Sequence, residues 1–326
     1  MIRIFRRFAV HISIAVLAGL CCTLAAAQDA YPAKPIRVIV GYSAGGGNDI
    51  IVRVMVPELS KGLGQAIVVE NRPGAQSIIA AELAAKSAPD GYTIFMGPSG
   101  PMTINPATYT RLPYDPQRDF APIAMICSFP LIVTVDPKLG VNSVKELIAY
   151  ARANPGKSNY ASSAGIFQIT TEMFKQRTGT QIEMIPYKGS GESVQAVAAG
   201  QVMMTIVDPP PATGPLKAGT IRGLAVTSPQ RHPRWPDLPT MAEAGVPDME
   251  VPVWTAFFAP AKTPAAIVAR LQKEVARVVR TAEVRERFDT MGLKPEGGSS
   301  AELARVVAQD IKKWTAVAKA ANIKNN

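Results

Sequence analysis

A glycine-rich loop between a predicted strand and a predicted helix carries the clearest binding chemistry in this sequence. The loop reads Gly41-Tyr42-Ser43-Ala44-Gly45-Gly46-Gly47-Asn48-Asp49, after an apolar β-rich run at residues 36–40. Backbone N–H groups in such a loop can converge on an anion at the positive end of the following helix. We therefore predict an anion site here. The alternative is an ordinary turn in which Asn48 or Asp49 caps the helix.

Two further loops place hydroxyl groups after predicted strands. Ser99 follows the third predicted strand within Gly97-Pro98-Ser99-Gly100, and Ser162 and Ser163 follow a strand in the second half of the chain. Each hydroxyl could donate to a carboxylate oxygen. Turn and capping chemistry is the alternative for both loops.

Asp208 ends an apolar strand predicted over residues 202–207 and could accept a hydrogen bond from a ligand hydroxyl, amine or bound water. Alternatively, Asp208 caps the helix that begins at Pro209. Lys188, in Tyr187-Lys188-Gly189, could bring positive charge to the same region, although a single lysine is more often solvated.

The N-terminus has the layout of a cleavable secretory signal over residues 1–27. Arg3, Arg6 and Arg7 precede an apolar stretch, and small residues end at Ala27. Removal of the three arginines would lower the formal net charge from +10 to +7. The remaining basic residues are dispersed, which argues against nucleic acid as a partner. We expect export to the periplasm.

The predicted mature chain is poor in catalytic and metal-binding residues. His232 is its only histidine and Cys127 its only cysteine. Neither a Ser-His pair in a recognisable nucleophile motif nor a cysteine-histidine metal cluster can be built, so we predict no enzyme activity, no metal and no cofactor. A secreted hydrolase that uses Ser99 or Ser162 without histidine assistance remains the alternative from another class.

Short β-rich runs alternate with amphipathic helical windows along the mature sequence, which predicts α/β lobes with parallel sheets flanked by helices. A proline-dense passage over residues 98–122 interrupts this rhythm. We predict a first lobe from residues 28–126 and 252–326, and a second lobe from residues 127–251. Two such lobes enclose a cleft, and ligands bind at the carboxyl ends of the strands.

Several motifs in the right order resemble the Bug-type receptors of tripartite tricarboxylate transporters, and the likeness spans the whole mature chain. The motifs include Tyr31-Pro32-Ala33-Lys34-Pro35-Ile36, Ala44-Gly45-Gly46-Gly47-Asn48-Asp49, Glu70-Asn71-Arg72-Pro73-Gly74, Pro89-Asp90-Gly91-Tyr92-Thr93, Pro186-Tyr187-Lys188-Gly189 and Leu238-Pro239-Thr240-Met241-Ala242-Glu243-Ala244-Gly245.

This resemblance implies a two-lobe Venus-flytrap fold, capture of a small carboxylate by a monomer and delivery to a membrane permease when one exists. A sensor receptor without its own permease is the alternative. By motif position the resemblance assigns ligand contact to Tyr42, Ser43, Ala44, Gly45, Gly46, Gly47, Ser99, Ser162, Ser163 and Asp208.

The sequence departs from the family pattern at two places in the second lobe. The loop over residues 163–168 is about two residues shorter than usual, which brings Phe167 and Gln168 near the cleft. Asp208 is followed by Pro209-Pro210-Pro211, where the family more often has a polar residue first. Both departures bear on the distal part of the ligand, so the resemblance implies a carboxylate without identifying it.

Overall fold

The computed structural model describes residues 31–320, so the predicted signal peptide at residues 1–27 and the end of the chain lie outside the described residues. The strands are β1 Ile36–Val40, β2 Ile67–Asn71, β3 Thr93–Pro98, β4 Phe120–Phe129, β5 Ile132–Val135, β6 Asn159–Ser162, β7 Glu183–Pro186, β8 Met204–Val207, β9 Arg222–Val226, β10 Val253–Pro260 and β11 Lys294–Pro295. The helices are α1 Gly47–Leu63, α2 Ile78–Ala85, α3 Asn105–Thr108, α4 Val144–Ala153, α5 Gly165–Thr178, α6 Ser190–Ala198, α7 Pro209–Ala218, α8 Ala265–Val278, α9 Ala282–Thr290 and α10 Ser300–Ala320.

The strands form two separate sheets, and each sheet with its helices is one lobe. Lobe 1 contains a six-stranded sheet in the order β11-β4-β10-β3-β1-β2, and lobe 2 contains a five-stranded sheet in the order β7-β6-β8-β5-β9. The predicted α/β two-lobe architecture is confirmed. The sheets are mixed rather than purely parallel, because β10 is antiparallel to β3 and β4, and β5 is antiparallel to β8 and β9.

The strands next to the crossings are the antiparallel ones. The chain leaves lobe 1 between β4 and β5, and it returns from lobe 2 between β9 and β10. Phe129, at the end of β4, pairs with Val253 at the start of β10. The predicted lobe limit at residues 126 and 127 falls inside β4, and all of β4 lies in the lobe 1 sheet. The lobe limits themselves stay a prediction.

The first strand shows why lobe 1 needs helices on both faces of its sheet. Val38 and Val40 of β1 pack in one apolar cluster and Ile39 packs in the other, and all three side chains are buried. A central strand that is buried on both faces is typical of α/β sheets. The second cluster also holds Phe95, Phe258 and Trp254, and Trp254 Nε1 donates to Asp310 Oδ2 of α10 at 2.7 Å. This bond fixes the last helix on lobe 1.

The first helix is positioned by its apolar face. Ile51, Met55 and Leu59 recur at helical spacing on α1 and are buried against the sheet, and Gly64 ends the helix with a φ of 71°. The N-terminus of α1 therefore lies at the carboxyl end of β1, facing lobe 2. Within residues 31–320 we find no helix that is both long and apolar enough to span a bilayer.

Candidate functional site

The two lobes meet around a narrow cavity of about 20 Å³ in this closed arrangement, which we call the inner cavity. Lobe 1 contributes the end of β3, the start of α1 and the crossing strands, while lobe 2 contributes the loops after β6, β7 and β8. The side chains and backbone that line the inner cavity belong to Tyr42, Gly47, Asn48, Pro98, Gly100, Phe129, Ser163, Ala164, Ile166, Phe167, Ser190, Asp208 and Val253. No lysine, arginine or histidine is found in this lining among the described residues.

Polar atoms in and next to this cavity are buried without partners. Asn48 Oδ1, Ser163 Oγ and Asp208 Oδ1 belong to lining residues, and each lacks a hydrogen-bond partner within residues 31–320. Buried polar groups in native proteins are nearly always hydrogen-bonded, and exceptions call for a functional explanation. Because these atoms come from both lobes, they make the inner cavity a candidate site for a polar ligand.

Asp208 is the only ionisable carboxyl group among the residues that line the inner cavity, and it is 2% exposed. Burial raises the pKa of Asp208 to about 6, and hydrogen bonding from Ser190 and from its own backbone N–H limits the rise. Its titratable neighbours are Tyr42 and Cys127, and burial raises the pKa of each of them, so both are neutral at pH 7.

Asp208 occupies the N-cap position of α7, yet its side chain makes no capping hydrogen bond. The physical reason is that Pro209, Pro210 and Pro211 fill the first turn of the helix and have no backbone N–H to donate. The structural alternative for Asp208, a helix cap, is therefore not what the structure shows. Its carboxyl group is directed across the cleft to α1, where a Cβ on Gly47 would overlap it.

The loop over residues 41–49 is held in place by its own acidic residue. Asp49 is buried and accepts hydrogen bonds from the Gly45 N–H at 2.9 Å, from Arg53 Nε at 2.9 Å and from Asn71 Nδ2 at 3.0 Å. Burial alone would raise the pKa of Asp49, but these bonds outweigh it and hold the pKa below its usual value. Asn71 Nδ2 also donates to the Tyr42 carbonyl at 3.0 Å, so the Glu70-Asn71-Arg72-Pro73-Gly74 motif braces this loop.

The three glycine N–H groups of the predicted anion site all have partners in the chain. Gly45 donates to Asp49, Gly46 donates to the Ser43 carbonyl at 3.2 Å, and Gly47 donates to Ser190 Oγ of lobe 2 at 3.1 Å. We expected these N–H groups to be free to bind an anion. In this closed arrangement they are not free. Only the Gly47 group lines the inner cavity, and there a hydroxyl oxygen from the other lobe takes the bond.

A second space, the outer groove of about 400 Å³, adjoins the inner cavity and shares Tyr42, Ser163 and Ala164 with it. Ser162 lines the outer groove, and its hydroxyl donates to the Ala164 carbonyl at 3.4 Å. Lys188 also lines the groove, where its side chain is exposed rather than buried in the cleft.

The structure brings some of the predicted contact residues together and leaves others apart. Tyr42, Gly47, Ser163, Phe167 and Asp208 line the inner cavity. Ser43 instead reaches lobe 2 through its N–H, which donates to the Lys188 carbonyl at 3.4 Å. The remaining predicted residues, which line neither space, are Ala44, Gly45, Gly46 and Ser99. Ser99 is completely buried behind the cavity wall, between the lining residues Pro98 and Gly100.

Sequence reasoning missed Ser190 and Gln76 and undervalued Asn48. Ser190 follows directly on Tyr187-Lys188-Gly189 and begins α6, so a search for hydroxyls after each predicted strand could have found it. Gln168, which the shortened loop was expected to bring near the cleft, accepts a hydrogen bond from Gln76 Nε2 of lobe 1 at 2.9 Å.

The residues considered for catalysis lie apart from one another. His232 packs against Trp235 with ring centroids 5.0 Å apart and lines a separate surface groove with Asp289 and Leu293. Cys127 is completely buried, as the sequence suggested. Ser99 and Ser162 therefore have no histidine within the inner cavity or the outer groove.

Two α/β lobes that are joined by two crossings and closed around a shared polar cavity define the class of two-lobed solute-binding proteins. The chain is 35% identical over 303 residues to protein BugT of Bordetella pertussis, with 92% of each chain covered. It is also similar to the solved structure of R. palustris Rpa4515 with adipate, at a TM-score of 0.87, 38% identity, and 90% and 99% coverage of the two chains.

A third relative is MatC (Rpa3494) from Rhodopseudomonas palustris with bound malate, at a TM-score of 0.85, 30% identity, and 88% and 99% coverage. The family model described as the tripartite tricarboxylate transporter family receptor matches residues 51–323. The chain belongs to this receptor family, which confirms the resemblance drawn from its motifs.

Proposed function

We propose that this protein is exported to the periplasm, captures a small carboxylate-containing metabolite in the inner cavity and delivers it to a permease of the tripartite tricarboxylate type. The observation that carries the proposal is the set of buried, unpartnered polar atoms that both lobes direct to one cavity. The adipate and malate named for two related structures support a carboxylate as the ligand.

In this proposal the ligand carboxylate lies at the N-terminus of α1. The Ser163 hydroxyl is a free donor at that place, the Gly47 N–H becomes one when the ligand replaces Ser190 Oγ as its acceptor, and the positive end of a 17-residue helix favours an anion there. The apolar lining by Phe129, Phe167 and Val253 then contacts the carbon skeleton. Asp208 either carries a proton or accepts from a hydroxyl or amino group of the ligand.

Capture requires the lobes to open, because the inner cavity lies between them and, at about 20 Å³, has room for no more than a water-sized group in this closed arrangement. A ligand that touches both lobes binds the closed state more tightly than the open one, and this difference in affinity drives closure. The work of the protein is therefore binding and release. The positions of the two serines support binding rather than hydrolysis, because within residues 31–320 neither the Ser99 nor the Ser162 hydroxyl makes a hydrogen bond to a histidine or a carboxyl group.

The test is a thermal-shift screen of the refolded, ligand-stripped mature protein against mono-, di- and tricarboxylates, amino acids and aromatic acids. A ligand at about a hundred times its dissociation constant should stabilise the protein by roughly 2.7 kcal/mol. We expect one class of acids to raise the Tm of the wild type and to have less effect on Ser163→Ala. A folded protein that no carboxylate stabilises would refute the proposed ligand class.

Export and the permease partner need their own measurements. Mass spectrometry of protein from a periplasmic extract should give a mature N-terminus near Gln28, and size-exclusion chromatography should give a monomer. Deletion of the candidate permease should abolish uptake of the acid found in the screen. Uptake that persists without the permease would favour a sensor receptor.

A further inference from the structure

Three successive residues beside the cleft adopt a backbone conformation that favours glycine, although none of them is glycine. Ala75, Gln76 and Ser77 have φ angles of 44°, 51° and 70°. Residues with a Cβ enter this left-handed region at a cost, and they stay there only where their surroundings determine the conformation. Strain of this kind concentrates at functional sites, so the side chains at these positions need an explanation.

Gln76 uses this conformation to reach the other lobe. Its side-chain nitrogen Nε2 donates to Gln168 Oε1 on α5 at 2.9 Å. Its backbone carbonyl accepts from Asn105 Nδ2 at 3.0 Å, and Asn105 is completely buried in lobe 1. Asn105 of lobe 1 therefore fixes the backbone of Gln76, while the side-chain amide of Gln76 extends across the cleft to lobe 2.

The amide oxygens of Gln76 and Asn105 lie against the N-terminus of α5. A Cβ on Gly165, the first residue of α5, would lie 2.8 Å from Gln76 Oε1 and 3.1 Å from Asn105 Oδ1. Both oxygens are buried and lack a hydrogen-bond partner within residues 31–320. The residue at the N-cap of α5 is Ala164, whose side chain cannot cap the helix. Acceptor oxygens from lobe 1 thus face the positive end of a 14-residue helix in lobe 2.

These contacts join the two lobes and are lost when the lobes separate. A contact that one state makes and the other lacks shifts the equilibrium towards the first state. Gln76 lines the outer groove and not the inner cavity, while Asn105, Gly165 and Gln168 line neither space. Their effect on closure should therefore be the same whichever acid the inner cavity holds.

We propose that Gln76 is an affinity-determining residue of this receptor. Together with Asn105 it forms an amide latch on Gly165 and Gln168 of α5, which closes beside the inner cavity and slows release of the bound acid. The latch rests on the proposed function, because it acts on ligand release only if the lobes close over a ligand. The contacts that position the latch, by contrast, involve only residues of this chain and need no ligand.

The test compares Gln76→Gly with Ala75→Gly, since both substitutions relieve the same left-handed strain. We expect both variants to keep or raise the Tm, because glycine adopts φ values near 50° without cost. Only Gln76→Gly and Gln168→Ala should release adipate, used as the probe with malate as a second probe, about three- to tenfold faster, as expected for the loss of one hydrogen bond. Stopped-flow fluorescence measures the release rate.

Hydrogen exchange supplies a readout that needs no ligand. In the ligand-free protein the amides of residues 165–168 should exchange faster in Gln76→Gly than in the wild type and in Ala75→Gly. The latch would be overturned if Gln76→Gly released the acid and exchanged its amide hydrogens at the wild-type rates. A Tm of Gln76→Gly that falls together with its affinity would overturn it as well. If neither probe binds the wild type, these acids fail as ligands, while the exchange comparison still decides the latch.

Discussion

The carboxyl group of Asp208 in lobe 2 lies directly against Gly47, the first residue of α1 in lobe 1, where even a methyl group would overlap it. This contact exists only while the lobes are closed. Lobe closure therefore depends on the absence of a side chain at residue 47.

We expect Gly47→Ala to reduce the affinity for the acid that stabilises the wild type by at least about tenfold, because a methyl overlapping a carboxyl group costs more than the ~1.4 kcal/mol that corresponds to this factor. The Tm of the ligand-free protein should change little, since opening relieves the overlap. Isothermal titration calorimetry measures the affinity. Gly214→Ala is the control, because a Cβ there meets no described atom within 4 Å. Wild-type affinity in Gly47→Ala would contradict the closed geometry.

The buried carboxyl group of Asp208 should make stability depend on pH in a defined direction. Its pKa rises from the ordinary 3.8 to about 6 through burial. Below pH 4 both the folded and the unfolded chain hold the proton, so burial costs little. As the pH rises through 6 the folded protein must ionise a buried group, and the stabilisation of up to about 3 kcal/mol is lost.

The variant Asp208→Asn should remove this dependence. We expect it to unfold at a higher temperature than the wild type at pH 7.5 and at nearly the same temperature at pH 4, with Tyr42 and Cys127 neutral throughout. Differential scanning calorimetry at a series of pH values gives the comparison. If the Tm of the two proteins changed with pH in the same way, the carboxyl group of Asp208 would not be buried in the state that unfolds.

Asn71 braces the glycine-rich loop through Tyr42 and Asp49. Asn71→Ala removes both hydrogen bonds and leaves two buried acceptors with fewer partners. We expect a loss of about 1–3 kcal/mol in the free energy of unfolding and a weaker affinity, because the loop carries Gly47. Arg72→Ala should cost less, since Arg72 is 56% exposed and exposed ion pairs contribute about 0–1 kcal/mol. Urea unfolding of both variants makes the comparison, and an equal loss would argue against the brace.

Phe167 forms part of the apolar lining of the inner cavity and should limit the length of the ligand. Phe167→Ala enlarges the cavity while leaving the polar groups of Ser163 and Asp208 unchanged. We expect the affinity for longer diacids such as adipate to rise relative to that for malate, at a cost of about 3–5 kcal/mol in stability. A competition assay with both acids measures the ratio. A proportional loss for both acids would place the ligand away from Phe167.

Most of the strands and helices could be predicted from the sequence by itself, because their signals are local. The apolar run at residues 36–40 predicted β1, and the strand predicted over residues 202–207 is observed as β8. The order of the loop motifs along the chain was enough to indicate the family. Asp208 was found because the residues after a strand meet at one edge of a sheet, and Phe167 was found because the loop over residues 163–168 is shorter than the family pattern.

Only the tertiary structure showed which groups have partners. The glycine amides of residues 45–47 looked available for an anion, yet Asp49, Ser43 and Ser190 accept their hydrogen bonds. Ser190 lies 143 residues from Gly47 in the chain, so no local pattern links them. The same holds for Gln76 and Gln168. Spacing along the chain determines strands, helices and the loops between them, whereas burial and hydrogen bonding across the cleft depend on how two separately folded lobes meet.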